Sequence, residues 1–245
     1  MCSSDLPMSE PYYRDDRVTL YHGDCREVLA DMADRSVDCV ITDPPYDART
    51  HRGALTNKGG AKGGSIAVDF DAFTHERQIE TFAELGRITK GWVVATLATA
   101  TAFRFDLEPP PTLRSLRVGA WVKPNPMPQI SGDRPGMGWE PVMFLHRDDI
   151  RPRWNGGGKA GVWSTPVAQN EGHPTAKPLA MVRDWVRLFT NPGDLVLDPF
   201  AGSGTTLRAA LDEGRRAIGV ELEERYCEVI AKRLAQDVLD FGGIA

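Results

Sequence analysis

Residues 195–206 read LVLDPFAGSGTT, and the way this stretch folds decides the class of the whole chain. Leu195 to Leu197 make an apolar strand, Asp198 to Thr205 a loop with glycines at 202 and 204, and Thr206 to Leu211 a helix. Gly202 and Gly204 let the backbone pass close to a ligand and leave amide groups free at a helix N-terminus. An ordinary tight strand–helix turn uses glycine in the same way, so the loop alone leaves both readings open. Ala217 to Leu222 form the next strand, and Glu221 stands at its end. An acid there is placed to accept hydrogen bonds from both hydroxyls of a ribose. Strand, glycine loop, helix and terminal acid together favour a nucleoside-type cofactor over a plain turn.

The kind of nucleoside follows from what surrounds the glycines. The third glycine of the dinucleotide fingerprint is missing, and Arg208 and its neighbours follow instead. Asp198 and Phe200 precede the glycines, and a carboxylate beside a pyrophosphate is repulsive. S-adenosylmethionine carries an ammonium and a sulfonium, which a carboxylate suits, and no phosphate. The residues favour it over a nicotinamide dinucleotide.

Outward from this loop, strands alternate with helices. Arg17 to His22 read as a strand, Cys25 to Met32 as a short helix, and Val37 to Ile41 as a buried strand. Glu76 to Thr89 carry Ile79, Phe82, Ala83 and Gly86 at helical spacing. Trp92 to Leu97, Val118 to Lys123 and Val142 to His146 are further strands, the last two separated by a Pro/Gly-rich loop. From Pro178, well placed in a first helical turn, Leu179, Val182, Trp185, Val186 and Phe189 line one face of a helix that Asn191-Pro192-Gly193 stops. Glu223 to Gln236 form a closing helix. The expected fold is α/β, a Rossmann-like doubly wound and mostly parallel sheet with helices on both faces.

Composition sets the outer bounds. At 245 residues, 41% hydrophobic and 26% charged, the chain can build a large α/β core as a single domain. No apolar run approaches the roughly 20 residues of a membrane span, and no signal peptide is visible in the first twenty residues, so a cytoplasmic location is expected. Met8 would serve as a first residue as well as Met1 does. Cys2, Cys25, Cys39 and Cys227 form no CxxC pair, which argues against a zinc site or a disulfide framework. A net charge of −5 means that any grip on nucleic acid has to come from locally concentrated positive charge.

The strand Val37–Ile41 ends in Asp43-Pro44-Pro45-Tyr46, where α/β proteins place ligands, just past the carboxyl end of a strand. Aspartate and proline also make ordinary turns. The glycine loop and ribose acid later in the chain shift the reading to function. An exocyclic amine is a poor nucleophile, because its lone pair is delocalised into the ring. One carboxylate and one backbone carbonyl can hold both of its N–H bonds and draw the nitrogen towards tetrahedral geometry. Proline suits the second acceptor, being stiff and carrying no competing N–H.

These stretches resemble a known family. GDC (23–25), DPPY (43–46), HPTAKP (173–178), DPFAGSGTT (198–206) and GVELEERY (219–226) are similar to motifs of the DNA amino-methyltransferases, as are WVKPNPMP (121–128) and WEPVMFLHR (139–147). Those enzymes methylate the exocyclic nitrogen of adenine or cytosine from S-adenosylmethionine. The order, catalytic motif first and cofactor glycines last, resembles the permuted group often called beta. The resemblance implies a catalytic set of Asp43, Pro44, Pro45 and Tyr46, in which Asp43 and the Pro44 carbonyl bind the target amine and Tyr46 stacks on the base, with Asp43 counted among the cofactor-binding residues as well. It implies that Asp198, Phe200, Ala201, Gly202, Ser203, Gly204 and Thr205 wrap the methionine part of the cofactor, with Glu221 on its ribose. Asp24 matches an acid near the cofactor's adenine end, and Lys177 a lysine close to the methionine carboxylate. Taken as residues alone, Asp24 reads equally as a helix cap and Lys177 as a solvated helix-start residue.

The partner is then double-stranded DNA, with its target base flipped out of the duplex, since that base cannot be reached inside one. The loop 47–68 is acid-free from Ala48 onward and holds Arg49, Arg52, Lys58 and Lys62, so it is either a solvated insertion or a clamp on phosphates. Arg151 and Arg153, flanking Trp154, are a second basic candidate, diluted by two aspartates. Base reading is expected in about 124–172, a short segment that suits a short recognition sequence or help from a second subunit, and the resemblance allows a homodimer. Trp92, Trp121, Trp139, Trp163 and Trp185 read as core or interface residues. An aspartate opening the catalytic motif favours adenine N6 over cytosine N4 within this family. A protein glutamine methyltransferase and a non-catalytic DNA-binding relative are rivals from other classes.

Overall fold

The computed structural model describes residues 10–45, 73–126, 128–129, 131–167 and 177–240. At its centre lies β3 (Val37–Thr42), on which only Asp38 retains contact with water. A strand apolar on both sides must be covered on both, and this selects a parallel sheet clad with helices. β3 pairs in parallel with β8 (Leu195–Asp198) and β4 (Thr89–Thr96), through Cys39↔Val196 on one side and Cys39↔Trp92 on the other. Asp38 ties these neighbours together, accepting from the Leu195 amide at 2.8 Å and from Lys90 at 2.7 Å.

Beyond β8 the parallel set continues with β9 (Arg216–Glu221) and β2 (Val18–His22), and the short β1 (Tyr13–Arg14) closes that edge antiparallel. Beyond β4, β6 (Trp139–Arg147) and β5 (Leu113–Val122) run antiparallel, and β7 (Val162–Ser164) adds to β5 in parallel. The spatial order is β1-β2-β9-β8-β3-β4-β6-β5-β7.

Alternation along the strands splits the core into two layers. Cys39, Ile41, Trp92 and Val94 face α4 (Leu179–Phe189), α5 (Thr205–Asp212) and α6 (Glu224–Asp240), meeting Trp185, Val186, Leu207 and Ile230. Val40, Val93 and Ala95 face α1 (Cys25–Asp31), α2 (His75–Ile88) and α3 (Thr99–Leu107), meeting Leu29, Phe82, Leu85 and Phe105. Helices therefore cover both faces of a mostly parallel sheet, the doubly wound arrangement expected. Trp92, Trp121, Trp163 and Trp185 are buried, Trp185 edge-on to Trp163 at 5.7 Å. Among the described residues no helix is long and apolar enough to cross a membrane.

Three features depart from the sequence reading. The strands on either side of the Pro/Gly-rich loop are longer than expected and form an antiparallel pair, because a loop between adjacent strands can reverse the chain without a crossover helix. α3 was not foreseen: its sequence TATAFRFDL is rich in weak helix formers and its N-cap, Ala98, supplies no side-chain bond, so burial of Ala102 and Phe105 stabilises it instead. β1 and β7 are too short to leave a periodic signal.

Candidate active site

The carboxyl ends of β2, β9, β8, β3 and β4 share one edge of the sheet. Register places His22 beside Glu221, Asp198 beside Gly219 and Thr42 beside Ala95. Four acids follow at once along this edge: Asp24 after β2, Glu221 ending β9, Asp198 ending β8 and Asp43 after β3. Ligands of open α/β sheets sit in this position.

Asp43 is held from two sides. Thr96 Oγ1, at the end of β4, donates to Oδ1, and Lys177 Nζ donates to Oδ2 at 2.5 Å. Pro44 is buried and Pro45 exposed. The Lys177 side chain is itself buried and sees a second carboxylate, Glu140 Oε2, at 3.4 Å. Glu140 also receives Lys123, and the two ammonium groups lie 4.7 Å and 5.7 Å from the centre of the Trp121 ring. Burial pulls the Lys177 ammonium down, but the Asp43 and Glu140 carboxylates outweigh it and the net shift is upward. The lysine therefore stays charged, because a buried cation flanked by two anions is kept protonated.

Asp198 is almost fully buried one strand away. Its Oδ1 accepts from Thr42 Oγ1 at 2.8 Å and from the Phe200 amide at 3.1 Å. Desolvation dominates even so, and with some repulsion from Asp43 it pushes this carboxyl up to about 6. Phe200 sits edge-on to Phe73 at 5.6 Å.

The glycine loop closes on itself. The Gly202 amide donates to Glu221 Oε2 at 2.7 Å, the Ala201 amide to the Val220 carbonyl at 2.9 Å, and the Gly204 amide to the Ala201 carbonyl at 2.7 Å. The two glycine amides, which the sequence reading leaves free for a ligand, are thus engaged, that of Gly204 within the turn and that of Gly202 by the Glu221 carboxylate at the end of β9. Gly202 (φ +53°) and Gly204 (φ +81°) both occupy the left-handed region. A side chain on Gly204 would fall 2.9 Å from Ile230 Cγ1, whereas one on Gly202 would meet only the Phe200 carbonyl, in ordinary contact at 3.9 Å. Ser203 and Thr205 are buried, and the Ser203 carbonyl accepts from Arg233 at 2.9 Å. Burial raises the Glu221 carboxyl, against which the Glu223 and Gly202 amides act.

Asp24 caps α1: its Oδ1 accepts from the Arg26 amide at 2.9 Å, and Arg26 pairs with it at 2.5 Å. The cap reading of this residue is directly visible, at the same edge as Glu221. Arg151 and Arg153 are not brought to this edge. β6 runs antiparallel to β4, so its end lies beside the beginning of β4 and of β3; there Asp149 pairs with Arg35, just ahead of β3, at 2.5 Å. Trp92 Nε1 donates to the Arg153 carbonyl at the same far edge. Tyr46, Arg49, Arg52, Lys58, Lys62, His173 and the loop 47–68 lie outside the described residues.

Glu140 is the site residue that the sequence reading missed. One signal could have found it: an acid at the head of the apolar run Val142–Leu145, which the structure sets opposite Trp121 in the register of β5. An acid at the head of a buried strand needs a cation close by, and Lys123 stands two positions from Trp121.

The family model described as DNA methylase (N6_N4_Mtase) matches residues 37–233. Among curated relatives, the type II methyltransferase M2.DpnII of Streptococcus pneumoniae is 28% identical, over 93% of this chain and 93% of that protein. Among solved structures, the M1.HpyAVI–SAM complex superposes with a TM-score of 0.67 at 25% identity, covering 89% of this chain and 98% of that one. The cytosine-N4-specific PvuII DNA methyltransferase superposes at 0.69 with 18% identity, covering 91% and 88%, and so shares the fold.

Proposed function

Because the chain belongs to the DNA methylase family, we propose that it transfers a methyl group from S-adenosylmethionine to the exocyclic N6 of an adenine flipped out of double-stranded DNA. One observation carries this reading: Asp43 stands at the carboxyl end of the central strand with each carboxylate oxygen already fixed, by Thr96 and by Lys177.

A carboxylate offers about four lone-pair positions, so Asp43 keeps acceptor capacity for an incoming amine while its orientation is set by the two donors. With the Pro44 carbonyl as second acceptor, both amine N–H bonds are held and the nitrogen is drawn out of conjugation. Tyr46, two positions on in the sequence, would supply the stacking face for the base. Prior positioning of this kind replaces entropy that would otherwise be lost in the reaction.

The acids along the edge suit a cationic, phosphate-free cofactor. Asp198, buried beside the glycine loop, would face repulsion from a pyrophosphate and attraction from an ammonium or sulfonium. S-adenosylmethionine, when bound, supplies a methyl group activated on a positively charged sulfur. Asp198, Phe200, Ala201, Gly202, Ser203, Gly204 and Thr205 would hold its methionine portion, Glu221 its ribose, and Asp24 would stand near its adenine end. Lys177 fixes Asp43 and, as the resemblance implies, would also stand close to the methionine carboxylate. The catalytic motif precedes the glycine loop in the chain, which supports membership of the permuted group, in one domain spanning 1–245 with base reading in about 124–172. Arg49, Arg52, Lys58 and Lys62 are the phosphate contacts of this reading, and a homodimer is compatible with it.

Digestion of treated unmethylated DNA to nucleosides, followed by mass spectrometry, tests the proposal. N6-methyladenine is the expected product. N4-methylcytosine would move the target to cytosine, which demands the same two acceptors; no methylated nucleoside at all would contradict DNA methylation.

A further inference from the structure

Asp43 is positioned by Lys177, and Lys177 is in turn shared with a residue from another strand. Glu140, at the start of β6, lies with Oε2 3.4 Å from Lys177 Nζ and with Oε1 on Lys123 Nζ. All three side chains are shielded, with exposures of 9% for Lys177, 17% for Glu140 and 16% for Lys123. Beneath them Trp121 presents its ring to both ammonium groups, and is anchored by its own Nε1 donating to the Thr165 carbonyl at 2.9 Å. The charges alternate along the line: Asp43, Lys177, Glu140, Lys123.

We propose that Glu140 is a positioning residue for methyl transfer, acting on Asp43 through Lys177; this rests on the reading of Asp43 as the acceptor of the target amine. Lys177 already lies nearer Asp43, at 2.5 Å, than Glu140, at 3.4 Å; without Glu140 its ammonium would lose the second carboxylate, and its whole charge would fall on Asp43 and compete with the incoming N–H donor. With Glu140 on its other side, Lys177 is held between two anions. Its ammonium stays where it fixes Asp43 Oδ2, while its charge is divided and Asp43 remains an effective acceptor. Lys123 and the Trp121 face balance Glu140, so that the acid itself does not turn towards solvent. Low local dielectric makes each of these interactions depend on its neighbours.

The consequence is specific. Removing the Glu140 charge should lower the rate of the chemical step and leave DNA binding intact, since Glu140 acts on Asp43 through Lys177. The experiment uses the full chain, unmethylated bacterial genomic DNA and tritiated S-adenosylmethionine, under single-turnover conditions that separate chemistry from product release. Glu140→Gln is expected to reduce the single-turnover rate between about tenfold and a hundredfold, the range that a small misplacement of a catalytic group costs. Rates are compared at saturating S-adenosylmethionine, because Lys177 is also assigned to the methionine carboxylate, and the dissociation constant for the same DNA should stay within about twofold of native, a change worth well under 1 kcal/mol. Glu140→Asp, which keeps the charge on a shorter arm, should recover part of the rate.

A Glu140→Gln protein that methylates at the native rate, or whose loss lies wholly in DNA or cofactor affinity, would overturn the proposal. Should the Gln variant fail to fold in thermal unfolding, Glu140→Asp decides alone: a reduced rate at native DNA affinity supports the role, and a native rate overturns it. Native protein that methylates no DNA would instead remove the functional reading itself, so the two failures are distinguishable.

Discussion

Lys177 Nζ lies 2.5 Å from Asp43 Oδ2 and joins a position two residues ahead of α4 to the one just after β3 across 134 positions of chain. The contact connects the two ends of the candidate site, because α4 packs under the sheet while β3 runs through its middle. A buried lysine of this kind is not a surface ornament: it fixes the orientation of the carboxylate on which the proposed chemistry depends.

Substituting Lys177→Met therefore has two expected effects. Methylation falls by at least about a hundredfold, as for loss of a positioned polar group. Stability falls by about 2 kcal/mol, less than the full cost of orphaning a buried ion because Asp43 is 30% exposed. Urea denaturation and single-turnover assays of the same preparation check both numbers.

Asp198 gives the pH prediction. Its folded carboxyl, pushed up to about 6, lies above its ordinary value of 3.8, so the folded chain holds this proton more tightly than the unfolded chain. Stability from this group is present at low pH and is lost as pH rises from about 4 through about 6, by roughly 3 kcal/mol in total. Asp198→Asn removes the loss. The stability difference between variant and native protein should move in the variant's favour across that window, measured by chemical denaturation at each pH. Cofactor affinity should respond in the opposite sense: the anionic form suits a cation, so native affinity rises through about pH 6, and the Asn variant shows no such rise in calorimetric titration.

Gly204→Ala places a methyl group 2.9 Å from Ile230 Cγ1 on a backbone at φ +81°. Strain of this kind costs about 1–3 kcal/mol. Thermal unfolding should show the loss, and combining the change with Ile230→Val should recover only the steric part, since φ remains positive.

Arg151 and Arg153 stand at the edge opposite Asp43. A phosphate-contacting arginine contributes about one unit to the slope of log affinity against log salt. Replacing both by alanine is expected to leave that slope unchanged in DNA-binding titrations; a decrease of about two would bring these residues onto the DNA.

Much of this arrangement was legible in the sequence, and the reasons are local. Leu179, Val182, Trp185, Val186 and Phe189 are spaced for one helical face, and that face packs in the core. Val37, Cys39, Val40 and Ile41 are apolar on both sides of their strand, which suits a strand covered on both faces. The glycine loop and its terminal acid were legible together, and Glu221 does meet the loop, at the Gly202 amide. Contacts between distant strands were not legible. Nothing local in WEPVMFLHR announces that Glu140 will meet Lys177, because sheet order and the antiparallel turn of β6 bring them together. α3 was missed for a related reason: Phe105 stabilises it from the core, and Thr99 to Thr101 give little helical propensity of their own.

The central claim is that Asp43 accepts the amine that receives the methyl group. Asp43→Ala is its most direct test, with nucleoside mass spectrometry of DNA incubated with the purified variant and S-adenosylmethionine. The fold should persist, and the N6-methyladenine formed by the native protein at saturating S-adenosylmethionine should disappear. A variant that still methylates DNA at a comparable rate would contradict the claim.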